Sequence, residues 1–162
     1  MSKKFSFRAI VPFALLMLFA LVVAIRPAEA QIVKNARAGQ YLLTLKVAVA
    51  ESFNGHHPEM IHDSGAPPVQ VDGAEHPNHH LVIFVDKGGK PVLDAQVHIR
   101  YRVSGDGHAA WTDLPMARMH HSGTGLETTH YGNNVFLAPG HYDVEVKVND
   151  EAPVIIPLSL RQ

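Results

Sequence analysis

The chain has 162 residues, with 14 Lys+Arg against 15 Asp+Glu, no cysteine and 12 histidines. The missing cysteine excludes a disulfide framework, a Cys-based zinc site, an iron–sulfur cluster and a thiol nucleophile. The near-neutral balance argues against nucleic acid as a partner, since phosphate binding needs a basic excess. Histidine is the outlier, and it points at metal.

The chain opens with Lys3, Lys4 and Arg8, then an apolar run over 9–25 interrupted by Pro12. Arg26-Pro27 and the small-x-small triplet Ala28-Glu29-Ala30 follow. A basic start, an apolar stretch and an A-x-A site describe a secretory signal peptide over 1–30. The sequence therefore predicts export to a periplasm, cleavage after Ala30 and a single domain over 31–162. Removing 1–30 takes away four basic residues and one acidic residue but no histidine, so the exported part is mildly acidic and dense in imidazole. That combination suits a cation better than an anion.

Beyond the signal segment the pattern is of short strands between Gly, Pro, Asn and Asp. Tyr41–Ala50 alternates, with Leu43, Leu45, Val47 and Val49 on one face. A long stretch over 51–78, rich in His, Pro and Gly, reads as a functional or mobile loop. His80–Val85 is an apolar strand ended by the turn Asp86-Lys87-Gly88-Gly89. Gln96–Val103 places Val97, Ile99, Tyr101 and Val103 opposite His98, Arg100 and Arg102. Short strands are expected near Ala110–Leu114 and Val135–Ala138, and His141–Val148 alternates again after the turn Ala138-Pro139-Gly140. Val154–Leu160 closes the series, with Pro157 confining it to an edge or bulge. The count is about seven strands, that of an all-β, immunoglobulin-like or cupredoxin-like antiparallel sandwich.

Imidazole suits copper, zinc, nickel and iron, and thioether sulfur selects copper(I). A His and Met set without cysteine therefore leans toward copper and excludes a blue-copper centre. His56, His57, His62 and His76 fall in the loop, where ligands lack the rigid support that a tight site needs. His98 reads as an exposed strand residue and His141 as structural. Strand or turn positions make His80, Met116 and His130 the stronger candidates. No nucleophile elbow, H-E-x-x-H, P-loop or dinucleotide fingerprint is present, so the chain reads as a binding protein and not an enzyme.

Three short segments carry a likeness. Leu114-Pro115-Met116, His130-Tyr131-Gly132-Asn133-Asn134 and Gly140-His141-Tyr142 occur in that order, with His80-Leu81 upstream. They resemble the Met-Pro-Met, His-Tyr-Gly-x-Asn, Gly-x-Tyr and strand-opening His-Leu segments of the periplasmic iron-transport protein family. These are small copper-binding accessory proteins of high-affinity iron permeases. The resemblance implies an immunoglobulin-like sandwich that forms a homodimer, binds copper between its sheets and serves an inner-membrane iron permease, with iron as a second metal. It also implies His80, Met116 and His130 as ligands. The family's Glu two residues after the His is Val82 here, which removes an acidic contribution to iron binding. The linker from Met116 to His130 is longer than in the family, so Met119, His120 and His121 are alternative or additional ligands. A family histidine near the C-terminus has no match, and His76 or His79 is expected to take its place.

A weaker likeness lies in Gly89-Lys90-Pro91-Val92-Leu93-Asp94-Ala95, a turn into a strand similar to that of small exported domains linked to copper handling. It keeps a periplasmic copper chaperone as the alternative function, beside a sandwich module without metal.

Overall fold

A computed structural model describes residues 31–51, 60–71, 76–105 and 107–161. The expected signal peptide over 1–30, and with it the cleavage site, lies outside the described residues, as do His56 and His57.

Among the described residues, eleven strands run in chain order: β1 Ile32–Ala38, β2 Tyr41–Val49, β3 Met60–Gly65, β4 His79–Lys87, β5 Lys90–Pro91, β6 Val97–Val103, β7 Thr112–Asp113, β8 Ala117–His121, β9 His130–Val135, β10 Gly140–Val148 and β11 Val154–Leu160. They form two antiparallel sheets. The larger has the order β1-β2-β4-β9-β8-β3 with β5 attached to β4, and the smaller the order β11-β10-β6-β7. The fold is the all-β sandwich that the alternation predicts.

The layer between the sheets is the main core. Leu43, Leu45 and Val47 of β2 meet Leu81, Ile83 and Val85 of β4 on one wall. Ile99, Val144, Val146, Val148, Ile156 and Leu158 form the other. Burying a Leu, Ile or Val side chain contributes about 1.5–3 kcal/mol, so this layer dominates stability. Turn chemistry sets one register, and a proline fixes one edge. Gly88 and Gly89, at φ +62° and +79°, close the β4–β5 turn expected at Asp86–Gly89, and the Asp86 carboxylate accepts the Gly89 N–H at 2.8 Å. Pro157 lies on β11, which is an edge strand as its missing N–H requires.

Strands β1, β3, β8 and β9 depart from the expectation. The stretch over 51–78 contains β3, and β8 and β9 flank a short 3-10 turn at Leu126–Thr128. Of the short strand expected at Val135–Ala138 only Val135 is extended, as the last residue of β9, which begins five residues earlier. His-Tyr-Gly-Asn-Asn carries few β-formers, and it is extended because β4 and β8 supply ladders on both sides. The edge strand β1 has only two apolar side chains besides alanine, Ile32 and Val33, and its pattern is correspondingly weak.

Candidate metal centre

Most strands alternate between a buried and a more exposed face, as two-layer packing requires. Two do not. All six residues of β9 are buried, and so are four consecutive residues of β4, His80 to Ile83. The second buried surface is the outer face of the larger sheet. There Met60, Val82, Ala117 and Met119 form a small apolar cluster, with Phe84 packed against it. His80 (1% exposed) and His130 (0% exposed) lie on this face, because their neighbours Leu81 and Tyr131 point into the main core.

The two imidazoles approach edge to face with ring centroids 5.7 Å apart. On β4 Val82 follows His80 by two residues, and on β9 Gly132 follows His130 by two; Val82 and Gly132 are register partners. The rings meet over this row because Gly132 has no side chain. A Cβ there would strike the Leu81 carbonyl oxygen and come within 2.8 Å of the Val82 Cα, and φ is +154°. Phe84 packs on the His130 ring at 5.0 Å, and the His121 ring stands 5.6 Å from it.

Hydrogen bonds fix which nitrogen of each ring presents a lone pair. The Thr128 carbonyl accepts from His130 Nδ1 at 2.7 Å, so the proton is on Nδ1 and Nε2 is the basic atom. That Nε2 is buried with no hydrogen-bond partner among the described residues. The Asn134 amide is oriented by its own bonds: Nδ2 donates to the Glu51 and Val69 carbonyls at 2.7 and 2.8 Å, while Oδ1 accepts the Glu51 N–H at 3.1 Å. Oδ1 must therefore accept from His80 Nδ1, 2.9 Å away, which leaves Nε2 of His80 as the basic atom too. An imidazole whose second nitrogen is anchored on an acceptor is the usual support of a metal-ligating histidine.

Electrostatics keep both rings neutral. Burial is the largest effect and lowers His80 to about 4, opposed by the Asn134 bond and reinforced by Lys46 and His121. Burial likewise lowers His130 to about 3, opposed by the Thr128 bond and reinforced by His80, His121 and Lys46. Neutral imidazole is the ligating form.

The other candidates separate by face. Met119 pairs with His130 on one side and His62 on the other, so one row across the outer face reads His62, Met119, His130. Nε2 of His62 is buried and has no hydrogen-bond partner among the described residues. His121 pairs with Met60 on the same face. Met116 instead packs against the main core, on the opposite side of the sheet from His80 and His130. His120 is held by Asp63 at 3.0 Å, and His79 is bonded to Asn78 at 2.7 Å. His76 is exposed in a left-handed turn at φ +41°, and His98 and His141 are exposed. The structure thus brings together His80, His130, His121 and Met119, and it leaves Met116, His120, His79 and His76 outside. The position between the sheets that the resemblance implies is filled by Leu81, Ile83 and Tyr131; the histidines are one layer further out. Sequence reading passed over Asn134 as a support, Met60 as a thioether, and His62 as a strand residue.

Donor chemistry sets what this face fits. Among the described residues, no three His, Cys, Asp or Glu side chains are grouped closely enough to hold a metal ion. The donors this face could offer a metal are the imidazoles of His80 and His130 and the thioether of Met119 or Met60. Such a neutral, soft set matches copper(I) and gives iron no oxygen donors.

No protein-family model matches the chain, and no curated protein sequence does. Among solved structures it is similar in fold to FetP of uropathogenic E. coli strain F11, crystallised as isolated after recombinant expression in the periplasm of E. coli BL21(DE3). The TM-score is 0.56 at 12% identity, over 80% of this chain and 94% of FetP.

Proposed function

We propose that the protein is a periplasmic metal-binding accessory protein of iron uptake that holds copper at His80, His130 and Met119 and serves an inner-membrane iron permease. The observation that carries this reading is the pair of neutral, buried imidazoles 5.7 Å apart, each anchored through Nδ1 beside buried thioethers. The likeness in fold to FetP supports it, as do the segments that resemble the periplasmic iron-transport family. The signal-like segment over 1–30 supports export. Copper supplies a redox couple when bound, and the chain's part is to present basic Nε2 atoms and exclude water. The function is binding and not catalysis.

The soft donor set also favours a second reading, a copper chaperone for which copper is the cargo. Two experiments test these readings. Exported protein titrated with copper should bind it at low stoichiometry, and His80→Ala with His130→Ala should abolish tight binding. An unchanged affinity in the double variant refutes the centre. Deleting the gene should impair growth under iron limitation on the first reading, and assembly of copper enzymes on the second.

A further inference from the structure

The face that carries the two imidazoles also carries a fixed positive charge. Lys46 of β2 is the register partner of Val82, and Val82 that of Gly132. These three residues make the row over which His80 and His130 meet, and Lys46 stands two strand spacings, roughly 10 Å, from Gly132 along it. Its side chain is half-buried, and among the described residues it has no ion-pair partner. On the ladder of β2 and β4 the carboxylate is that of Asp86, at the far end of β4 and engaged with the Gly89 N–H, while Glu51, just past β2, is tied through its backbone to the Asn134 amide that holds His80. Asp63 is committed to His120 and Arg118. Lys46 and His121 act on both rings, and His80 acts on His130.

Coulomb energy scales with the product of the charges, so an ammonium repels a divalent ion twice as strongly as a univalent one at the same place. Burial strengthens that difference, because screening by solvent is weak there. The imidazole and thioether donors are themselves neutral and offset none of it. Resting on the copper reading above, we infer that Lys46 is a specificity-determining residue that makes this face a site for univalent copper and disfavours copper(II) and the iron ions. The ammonium is not a ligand. It acts through its field, and a soft set of imidazole and thioether then holds the ion that the field penalises least.

The test compares wild type with Lys46→Gln, which removes the charge at similar length, and Lys46→Arg, which keeps it. Copper(I) and copper(II) affinities are measured by competition with chelators selective for each state, after thermal unfolding shows that the apo variants fold. Lys46→Gln should raise copper(II) affinity about tenfold and copper(I) affinity only about threefold, because doubling the ionic charge doubles the logarithm of the effect. The remaining threefold ratio lowers the copper reduction potential by about 30 mV, at 59 mV per tenfold for one electron. Lys46→Arg should leave both affinities within about twofold of wild type. Should the Gln side chain disturb the sheet, Lys46→Met makes the same comparison. Equal changes for both ions in a folded neutral variant, or none, overturn the role of Lys46 and leave the copper centre standing. A wild-type protein that takes up neither ion removes the centre and the inference together.

Discussion

On the smaller sheet, the outward side chains of β6 and β10 form a solvated ladder. Arg100 reaches Glu145 at 2.8 Å, Arg102 reaches Asp143 at 3.2 Å, and Trp111 lies under both guanidinium groups at 4.8 and 4.5 Å. On the larger sheet, outward positions of β4, β9 and β8 hold His80, His130 and Met119, and all three are buried. Both faces are outward faces of antiparallel sheets, yet one satisfies its polar groups with opposite charges in water. The other meets each imidazole with one directed bond at Nδ1, to Asn134 or to a backbone carbonyl. Solvated charge pairs contribute little and tolerate change, whereas a buried polar group costs 1–3 kcal/mol once its partner is lost. The contrast marks the larger sheet's outer face as the place where the fold carries buried polar groups at a cost.

The contrast breaks most sharply at Gly132. Gly132→Val would drive a side chain into the β4 backbone, and we expect a loss above about 4 kcal/mol, read as loss of soluble, cooperatively folding protein. Asn134→Leu is next. It strips partners from the Glu51 N–H, the Glu51 and Val69 carbonyls and His80 Nδ1, and should cost about 3 kcal/mol in urea unfolding. Copper affinity should fall 10–100-fold in the same variant, the usual effect of losing a support to a ligating histidine (~1–3 kcal/mol).

Acid separates the faces by a smaller step. Both buried histidines are held below the usual 6.5, at about 4 and about 3, so the unfolded chain takes up protons that the folded one refuses. Their contribution to stability is full above about pH 6.5 and is lost as the pH falls toward 3, by up to about 1.4 kcal/mol per unit for each ring. Urea unfolding of the apo protein between pH 7 and 4 measures this, and His80→Gln with His130→Gln should flatten it. The smallest effects are the most discriminating. Met119→Leu and Met116→Leu should each cost less than about 1.5 kcal/mol, but only the first should weaken copper(I). Arg102→Met on the ladder should stay within about 1 kcal/mol and leave copper untouched.

The sandwich was legible in Leu43-x-Leu45-x-Val47 and in Tyr142-x-Val144-x-Val146-x-Val148, because a face buried against a second layer writes itself as period two. The strand β9 was not, since its six residues are buried on both faces and include Gly and Asn, which local preference disfavours in strands. The pairing of His80 with His130 rests on a register between β4 and β9 that no spacing along the chain encodes. The choice between Met116 and Met119 was equally hidden. They lie three residues apart, an odd step that puts them on opposite faces of a strand, and only the core contacts of Met116 show which face is which. Pro115 and the extended linker masked β8 itself, so no alternation was available to decide it.

X-ray absorption at the copper edge of the copper(I)-loaded protein, wild type and Met119→Leu side by side, tests the centre most directly. The wild type should show about two nitrogen ligands with thioether sulfur, as the donor set of the outer face requires, and Met119→Leu should lose sulfur scattering while its nitrogen shell stays. A wild-type spectrum of nitrogen and oxygen alone, or a sulfur shell that survives in Met119→Leu and disappears in Met116→Leu, would contradict the placement of the centre on the outer face.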